Sequence, residues 1–217
     1  MVGGRDATAQ LQGGKIGANV ALRDTTLPTF QAELDEFAFN LSWRFAGQGL
    51  TLFTDGAAHV PSGGGIPTQS TYVGYASDIQ VNPTVSSNPS LVRDGTNAIG
   101  GSPAGASAFT PNPTGGPAGF TTLISRVLNF SLGAEVQSGV AQGPPATSGL
   151  GPAGNLSAPF AAPTTLGDFA SDLVASQSQI SATISDNLQV EQGVQTSLSN
   201  KLTAETGVNM DTEMAKI

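Results

Sequence analysis

The chain has 217 residues, a net charge of −8, no cysteine and only 11% charged residues. Its eight Lys and Arg residues are scattered singly, so it lacks the basic cluster that a nucleic-acid or anionic-membrane surface requires. Disulfides, thiolate metal sites and a cysteine nucleophile are excluded. No apolar run reaches the roughly 18 residues that a bilayer span needs. We therefore expect neither nucleic acid nor membrane as a partner.

The first part of the chain predicts a helix with one apolar face. Residues 1–14 are polar and Gly-rich, which predicts a flexible start without the apolar core of a secretory signal. A helix follows over about 15–46, where Pro28 either begins a new turn or kinks a continuing helix. Apolar residues recur there at steps of three and four, as on one face of an amphipathic helix. This face consists of Leu27, Phe30, Leu34, Phe37, Leu41 and Phe45.

The middle of the chain predicts small elements between long loops. We predict a small β ribbon from about 50–54 and 71–81, and a helix over about 120–132. Gly/Pro-rich loops are predicted at 95–119, which can form no regular element, and at 139–163, which is either an ordered excursion or mobile.

The longest predicted element is a helix over about 165–206, roughly 60 Å long at ~1.5 Å per residue. Thr165 and Asp168 predict a capping box at its start, and Gly207 predicts a left-handed cap at its end. We expect its seam to pack on the 27–45 face, although a partner segment outside the chain is an alternative for that face. The fold class is therefore mainly α, an elongated antiparallel helical bundle or coiled coil in one rod domain over 15–217. The seam consists of Leu166, Phe169, Leu173, Ile180, Ile184, Val194 and Leu198.

No group of residues predicts catalysis, a cofactor site or a metal site. His59 is the only histidine, and a Ser–His–Asp triad would have to use Ser62 and Asp55. Nothing in their spacing requires a triad, so a solvated loop histidine is the preferred interpretation. Asp35 and Glu36 are neighbours in sequence and point about 100° apart on a helix, so they cannot clamp one ion. We predict that the protein is not an enzyme.

Three segments resemble the flagellar hook-associated protein 1 family, which includes the hook–filament junction proteins of bacteria. They are GGKIGANVALRDTTLPTFQAELDEF at 13–37, IQVNPTVSSNPSLVRDG at 79–95 and TGVNMDTEMAKI at 206–217, and they occur in the family's order. The last segment is similar to the signature that opens the C-terminal helix of flagellar axial proteins. Its residues here are Gly207, Val208, Asn209, Met210, Asp211, Glu213 and Met214.

The resemblance implies a structural subunit that joins hook to filament and lies outside the cell. It further implies a homo-oligomeric ring in the full-length protein, contacts with hook protein and other hook-associated proteins, and export by the flagellar type III pathway. The chain corresponds to the C-terminal portion of such a protein without its terminal helix, through which an export chaperone would bind. We expect this portion alone to be monomeric.

Two other functions stay open at this point. One is a secreted adhesin-like module, in which Gly/Pro-rich loops recognise a ligand on a helical stalk, and the other is a surface hydrolase that uses His59. A flagellar axial protein of the hook or flagellin type is a further alternative, but these proteins share the last segment without the Arg-Asp…Leu-Pro stretch of 13–37.

Overall fold

The computed structural model describes residues 14–207. It is mainly α, about 50% helical, and its sheets are two-stranded and antiparallel. The chain divides into two compact units, Met1–Leu173 and Val174–Ile217. Within the described residues, no helix is long and apolar enough to cross a membrane.

Two helices joined by a π-helical turn open the described chain. Helix α1 is Gly14–Ala21, the π turn is Leu22–Thr26, and helix α2 is Leu27–Gly47. Pro28 lies in the first turn of α2, where its missing N–H costs little. The Leu27 N–H donates to the Leu22 carbonyl, which closes the wider turn directly before the proline ring. The chain therefore stays helical through Pro28.

The predicted ribbon is shorter than expected. Strand β1, Phe53–Thr54, pairs antiparallel with strand β2, Gln80–Val81, so the prediction is wrong for 71–79. That segment forms turns and helix α3, Tyr75–Asp78. Its backbone N–H groups at 74 and 76 bond to a side chain of α2, which leaves them no strand partner.

Three short helices follow. Helix α4, Pro83–Ser87, is capped by Asn82, whose side-chain oxygen accepts the Thr84 N–H at 2.9 Å. Helix α5 is Leu91–Asp94. Helix α6, Thr122–Arg126, continues into a π-helical turn, Val127–Ser131, and together they lie within the predicted range of 120–132.

The two Gly/Pro-rich segments differ in structure. Between 95 and 119 the backbone forms only an isolated bridge, Ile99 with Phe109. The second segment takes part in two hairpins, β3 (Glu135–Gln137) with β4 (Val140–Ala141) and β5 (Ser148–Leu150) with β6 (Leu156–Ser157). The second of these contacts α2. Glycines with positive φ, such as Gly139 and Gly151 (both φ 77°), permit the turns.

Buried apolar side chains form two clusters along α2. The first cluster joins Ala38 and Phe39 of α2 to Tyr72 and Tyr75. The second joins Phe45 to residues of three other segments, and its buried members are Phe45, Leu50, Phe109 and Leu123.

Helix α7 is Leu166–Thr206, 41 residues long. The Thr165 hydroxyl accepts the Asp168 N–H at 3.0 Å and donates to the Asp168 carboxylate at 2.7 Å, so the cap forms through side chains. Leu166, Phe169 and Leu173 are buried, and Phe169 stacks on Phe37 of α2 with ring centroids 6.2 Å apart.

The elongated antiparallel bundle is not confirmed, because every residue of α7 from 181 to 205 is exposed. The left-handed cap at Gly207 is wrong, since its φ is not positive. The Gly207 N–H donates to the Thr203 carbonyl at 2.7 Å. A Cβ at this position would collide with that carbonyl, which explains the glycine.

Candidate functional site

The candidate interface is an apolar stripe along α7, which we call the α7 stripe. Leu166, Ile184 and Leu202 follow one another at equal intervals that correspond to about five helical turns, so the stripe runs straight along the helix. Its buried first members end at Leu173. Beyond them the stripe comprises Ile180, Ile184, Leu188, Val194, Leu198 and Leu202.

Most of the α7 stripe faces solvent. Ile180 is half-buried, and the other five members each expose more than half of their surface. Burial of such a side chain contributes ~1 kcal/mol or more, so a partner covering all five would gain about 5 kcal/mol. Exposed apolar residues aligned on one helical face indicate a contact surface.

Sequence reasoning missed Leu188 and Leu202. A heptad template places Asn187 and Lys201 at the seam instead, because seven residues fall short of two full turns of a straight helix. Leu202 lies about five full helical turns after Ile184 and is therefore on the same face, which could have been predicted from the sequence.

The composition of α7 makes an uncovered helix marginal. Helices without tertiary packing are only weakly stable in water, and Gly193 lowers the helix propensity further. Hydroxyls of Ser178, Thr183, Thr196 and Thr203 each donate to the carbonyl four residues earlier, which slightly weakens a helix. Packing of its apolar stripe is therefore the main available source of stability for this segment.

A second apolar face lies on α2, over the predicted positions from Leu27 to Phe45. Leu27 is 54% exposed and Leu34 is 40% exposed, whereas Phe45 is buried in the second core cluster. Phe30, Phe37 and Leu41 are half-buried, with Phe37 against Phe169. Leu27 and Leu34 are therefore not covered by the described residues, and the prediction that they belong to a packing seam stays a prediction.

The face of α2 that is buried within the first unit is rich in polar groups. The Asp35 carboxylate accepts the Gly74 N–H at 2.7 Å, the Ala76 N–H at 2.9 Å and the Gln31 amide at 2.9 Å. This carboxylate holds the backbone at the start of α3, where no strand supplies acceptors. Bonds to a charged acceptor are stronger than neutral ones.

Glu36 anchors two further segments to α2. Its carboxylate accepts from the Tyr72 hydroxyl at 2.7 Å, the Ala146 N–H at 2.7 Å, the Asn40 amide at 2.8 Å and the Gln69 amide at 3.2 Å. Burial raises the pKa of Tyr72 far above its usual value, and the nearby Glu36 charge raises it further. The phenol therefore stays neutral and keeps donating its hydrogen bond.

Two ionisable groups on this face lack full pairing. Glu33 is fully buried, and neither carboxylate oxygen has a partner among the described residues. Burial alone raises the pKa of Glu33 to about 7. Arg44 donates to the Gly143 carbonyl at 2.9 Å, and burial lowers its pKa to about 10 against the opposing effect of Glu36.

The 79–95 segment holds part of the 95–119 loop in place. The Arg93 guanidinium pairs with Asp94 at 2.8 Å, and Asn112 donates to the same carboxylate at 2.8 Å. Arg93 first and Asn112 second lower the pKa of Asp94 to about 2. The residues that carry the resemblance here thus have structural contacts of their own.

The structure does not assemble a triad at His59. The Asp55 carboxylate accepts the backbone N–H groups of Ala57 and His59, and the Ser62 carbonyl accepts the Thr71 hydroxyl. His59 is exposed. In the described part of the chain, no cluster of three His, Asp or Glu side chains could hold a metal ion.

Of the predicted axial-protein motif, the structure describes only Gly207, and positions 208–217 lie outside the described residues. No protein-family model, curated protein or solved structure matches the chain.

Proposed function

We propose that this chain is a structural subunit of the bacterial flagellum that joins hook to filament. The observation that carries the proposal is the exposed α7 stripe on a 41-residue helix with few charges. The three segments that resemble hook-associated protein 1, in family order, support the same function.

The mechanism is lengthwise contact between helices. In the assembled protein, partner helices cover the α7 stripe and the exposed residues Leu27 and Leu34 of α2, and coiled-coil packing makes the contacts rigid. The partners are neighbouring copies in a ring, hook protein and other hook-associated proteins. Here the elongated bundle expected from the sequence forms between subunits. The abundant Ser, Thr, Asn and Gln side chains suit wet, hydrogen-bonded contacts at its edges.

Export and location follow from the same proposal. The protein leaves the cell unfolded through the flagellar type III pathway, with a chaperone bound to a helix that follows the axial-protein motif, and acts outside the cell. In this proposal the protein acts by contact alone, without catalysis.

Gene deletion in the bacterium that encodes the protein tests this function. We expect cells with hooks but without filaments, and flagellin released into the medium. Plasmid-borne wild type should restore filaments. Cells that keep normal filaments after the deletion would show that the proposal is wrong.

The role of the α7 stripe is tested in the same strain. An Ile184→Asp, Leu198→Asp variant should be exported but fail to restore filaments, because it places charges in the helix contact. The matched control, Gln189→Asp with Asn200→Asp, adds the same charges to the opposite face and should restore them. Equal complementation by both variants would contradict a role for the stripe.

A further inference from the structure

Two cavities in the first unit share Trp43 and Gln142 in their linings. The first has a volume of about 410 Å³ and also contacts Phe39, Asn40 and Pro144. The second has a volume of about 370 Å³ and is completed by the Gly-rich loop at 99–106. Both volumes lie within the range of small-ligand sites. Because the two cavities adjoin at the same two side chains, a chain-like ligand can occupy both.

A fixed aromatic wall forms one side of the first cavity. The Phe39 ring stacks on Tyr72 with centroids 4.1 Å apart and on Trp43 at 6.4 Å. The Tyr72 hydroxyl is held by Glu36 at 2.7 Å, so the wall is positioned before any ligand arrives. Trp43 is 48% exposed and is the only tryptophan of the chain. An exposed indole ring offers an apolar face for stacking.

Polar groups without partners lie beside this wall. Gln142 is only 8% exposed, yet its side-chain amide makes no hydrogen bond with any residue from 14 to 207. Asn40 donates its amide to Glu36, and within the same residues its carbonyl oxygen accepts nothing. The Trp43 indole N–H also lacks a partner there. A ligand that bonds the Gln142 amide would give this nearly buried side chain its first side-chain partner, which favours binding.

The cavities present no accessible charge. Both oxygens of Glu36 already accept hydrogen bonds. Arg44 lines the second cavity; one of its nitrogens donates to Gly143, and the other two are buried and have no partner among the described residues. The polar groups that a ligand can reach are the neutral amides and the indole N–H, which favours an uncharged ligand.

We propose that this surface binds a neutral saccharide chain, with one sugar ring on Trp43 and hydroxyl groups on the Gln142 and Asn40 amides. Each sugar hydroxyl both donates and accepts, which matches free amide carbonyls together with free N–H groups. A polyproline segment also favours aromatic grooves, but proline has no N–H for the carbonyls of Gln142 and Asn40. The site is separate from both apolar helix faces, so it does not rest on the proposed flagellar function.

Tryptophan fluorescence tests this site, because Trp43 is the only indole and lies in it. The whole chain is titrated to about 10 mM with maltohexaose, cellohexaose and chitohexaose, and separately with a decaproline peptide. We expect at least one hexasaccharide to shift the Trp43 emission to shorter wavelength, and decaproline to leave it unchanged. No shift with any of the three saccharides overturns the proposal, and a shift with decaproline alone assigns the groove to polyproline instead.

A pair of variants locates the binding. Gln142→Ala removes no hydrogen bond of the folded chain and should weaken saccharide binding about five- to tenfold. Gln189→Ala, an exposed glutamine on α7, should bind as the wild type does. Thermal unfolding of both variants at the wild-type temperature shows that the fold is retained. Wild-type affinity in Gln142→Ala, or a loss in Gln189→Ala, would place the saccharide elsewhere and overturn the assignment.

Discussion

Replacement of Glu33 by glutamine measures how much the ionisation of one buried carboxylate lowers the free energy of unfolding. Glu33 is fully buried, its two oxygens have no partner among the described residues, and burial raises its pKa from 4.5 to about 7. Because the folded chain holds this proton more tightly, it binds more protons than the unfolded chain between pH 4.5 and 7. The free energy of unfolding therefore falls as the pH rises through that interval.

The size of the effect follows from the two pKa values. With 1.36 kcal/mol per pKa unit, the Glu33 carboxylate costs the folded state about 1 kcal/mol at pH 5 and about 3 kcal/mol at pH 8. The amide side chain of the Glu33→Gln variant cannot ionise. The difference in unfolding free energy, variant minus wild type, should thus rise by about 2.5 kcal/mol from pH 5 to pH 8.

Urea unfolding followed by Trp43 fluorescence measures this difference, since Trp43 and Glu33 both lie on α2. The comparison between two pH values removes any constant cost of the buried amide. An exposed control, Glu191→Gln, should show no such rise. If the difference for Glu33→Gln stays constant between pH 5 and pH 8, the carboxyl is not held protonated by burial and the reasoning fails.

Three further changes test the contacts that hold the first unit together. Asp35→Asn should lower the unfolding free energy by about 2–3 kcal/mol, because the Gly74 and Ala76 N–H groups bond to different carboxylate oxygens and asparagine replaces one of these with an NH2 donor. The exposed control Asp186→Asn should change little in the same urea assay. Arg126→Lys should lower the unfolding free energy by about 2 kcal/mol, since Arg126 donates to Gln48, Ser107 and Ala108. It should also speed proteolysis of the 95–119 loop. Proteolysis no faster than in an Arg23→Lys control would contradict this. Gly49→Ala should lower the unfolding free energy, measured by thermal unfolding, by more than 2 kcal/mol, because φ is 104° and a Cβ would overlap the Phe109 ring. Gly64→Ala, where φ is 85° and no atom lies within 4 Å of the added Cβ, should lower it by about 1 kcal/mol. Equal losses in the two variants would refute the overlap.

Hydrophobic periodicity locates the long helices well but not the side that each one buries. The α2 pattern correctly indicates a helix. Asp35 and Glu36 are nevertheless buried, because backbone N–H groups of loops without strand partners need acceptors and find them in these two carboxylates. That need arises from segments 39 and 110 residues away along the chain, at Gly74 and Ala146, so no local window contains it. The two hairpins that involve 139–163 were not predicted either, because their strands are only two or three residues long and show no alternation.

The candidate interface was partly visible in the sequence. Ile184, Val194 and Leu198 follow from steps of three and four, whereas Leu188 and Leu202 require the geometry of a straight helix. The saccharide surface could not be inferred, because it combines Trp43 with Gln142, and only the folded hairpin brings Gln142 beside α2.

The hydrogen bonds of Glu36 also set an order of folding events. Its carboxylate lies near the beginning of the chain, but one of its donors is the backbone of Ala146. When the chain emerges from its N-terminal end, the Asn40, Gln69 and Tyr72 donors become available early, whereas the Ala146 N–H follows Glu36 by 110 residues. Closing so long a loop is entropically expensive and slow. The contact between the Ala146 segment and helix α2 is therefore expected to be among the last that the first unit makes.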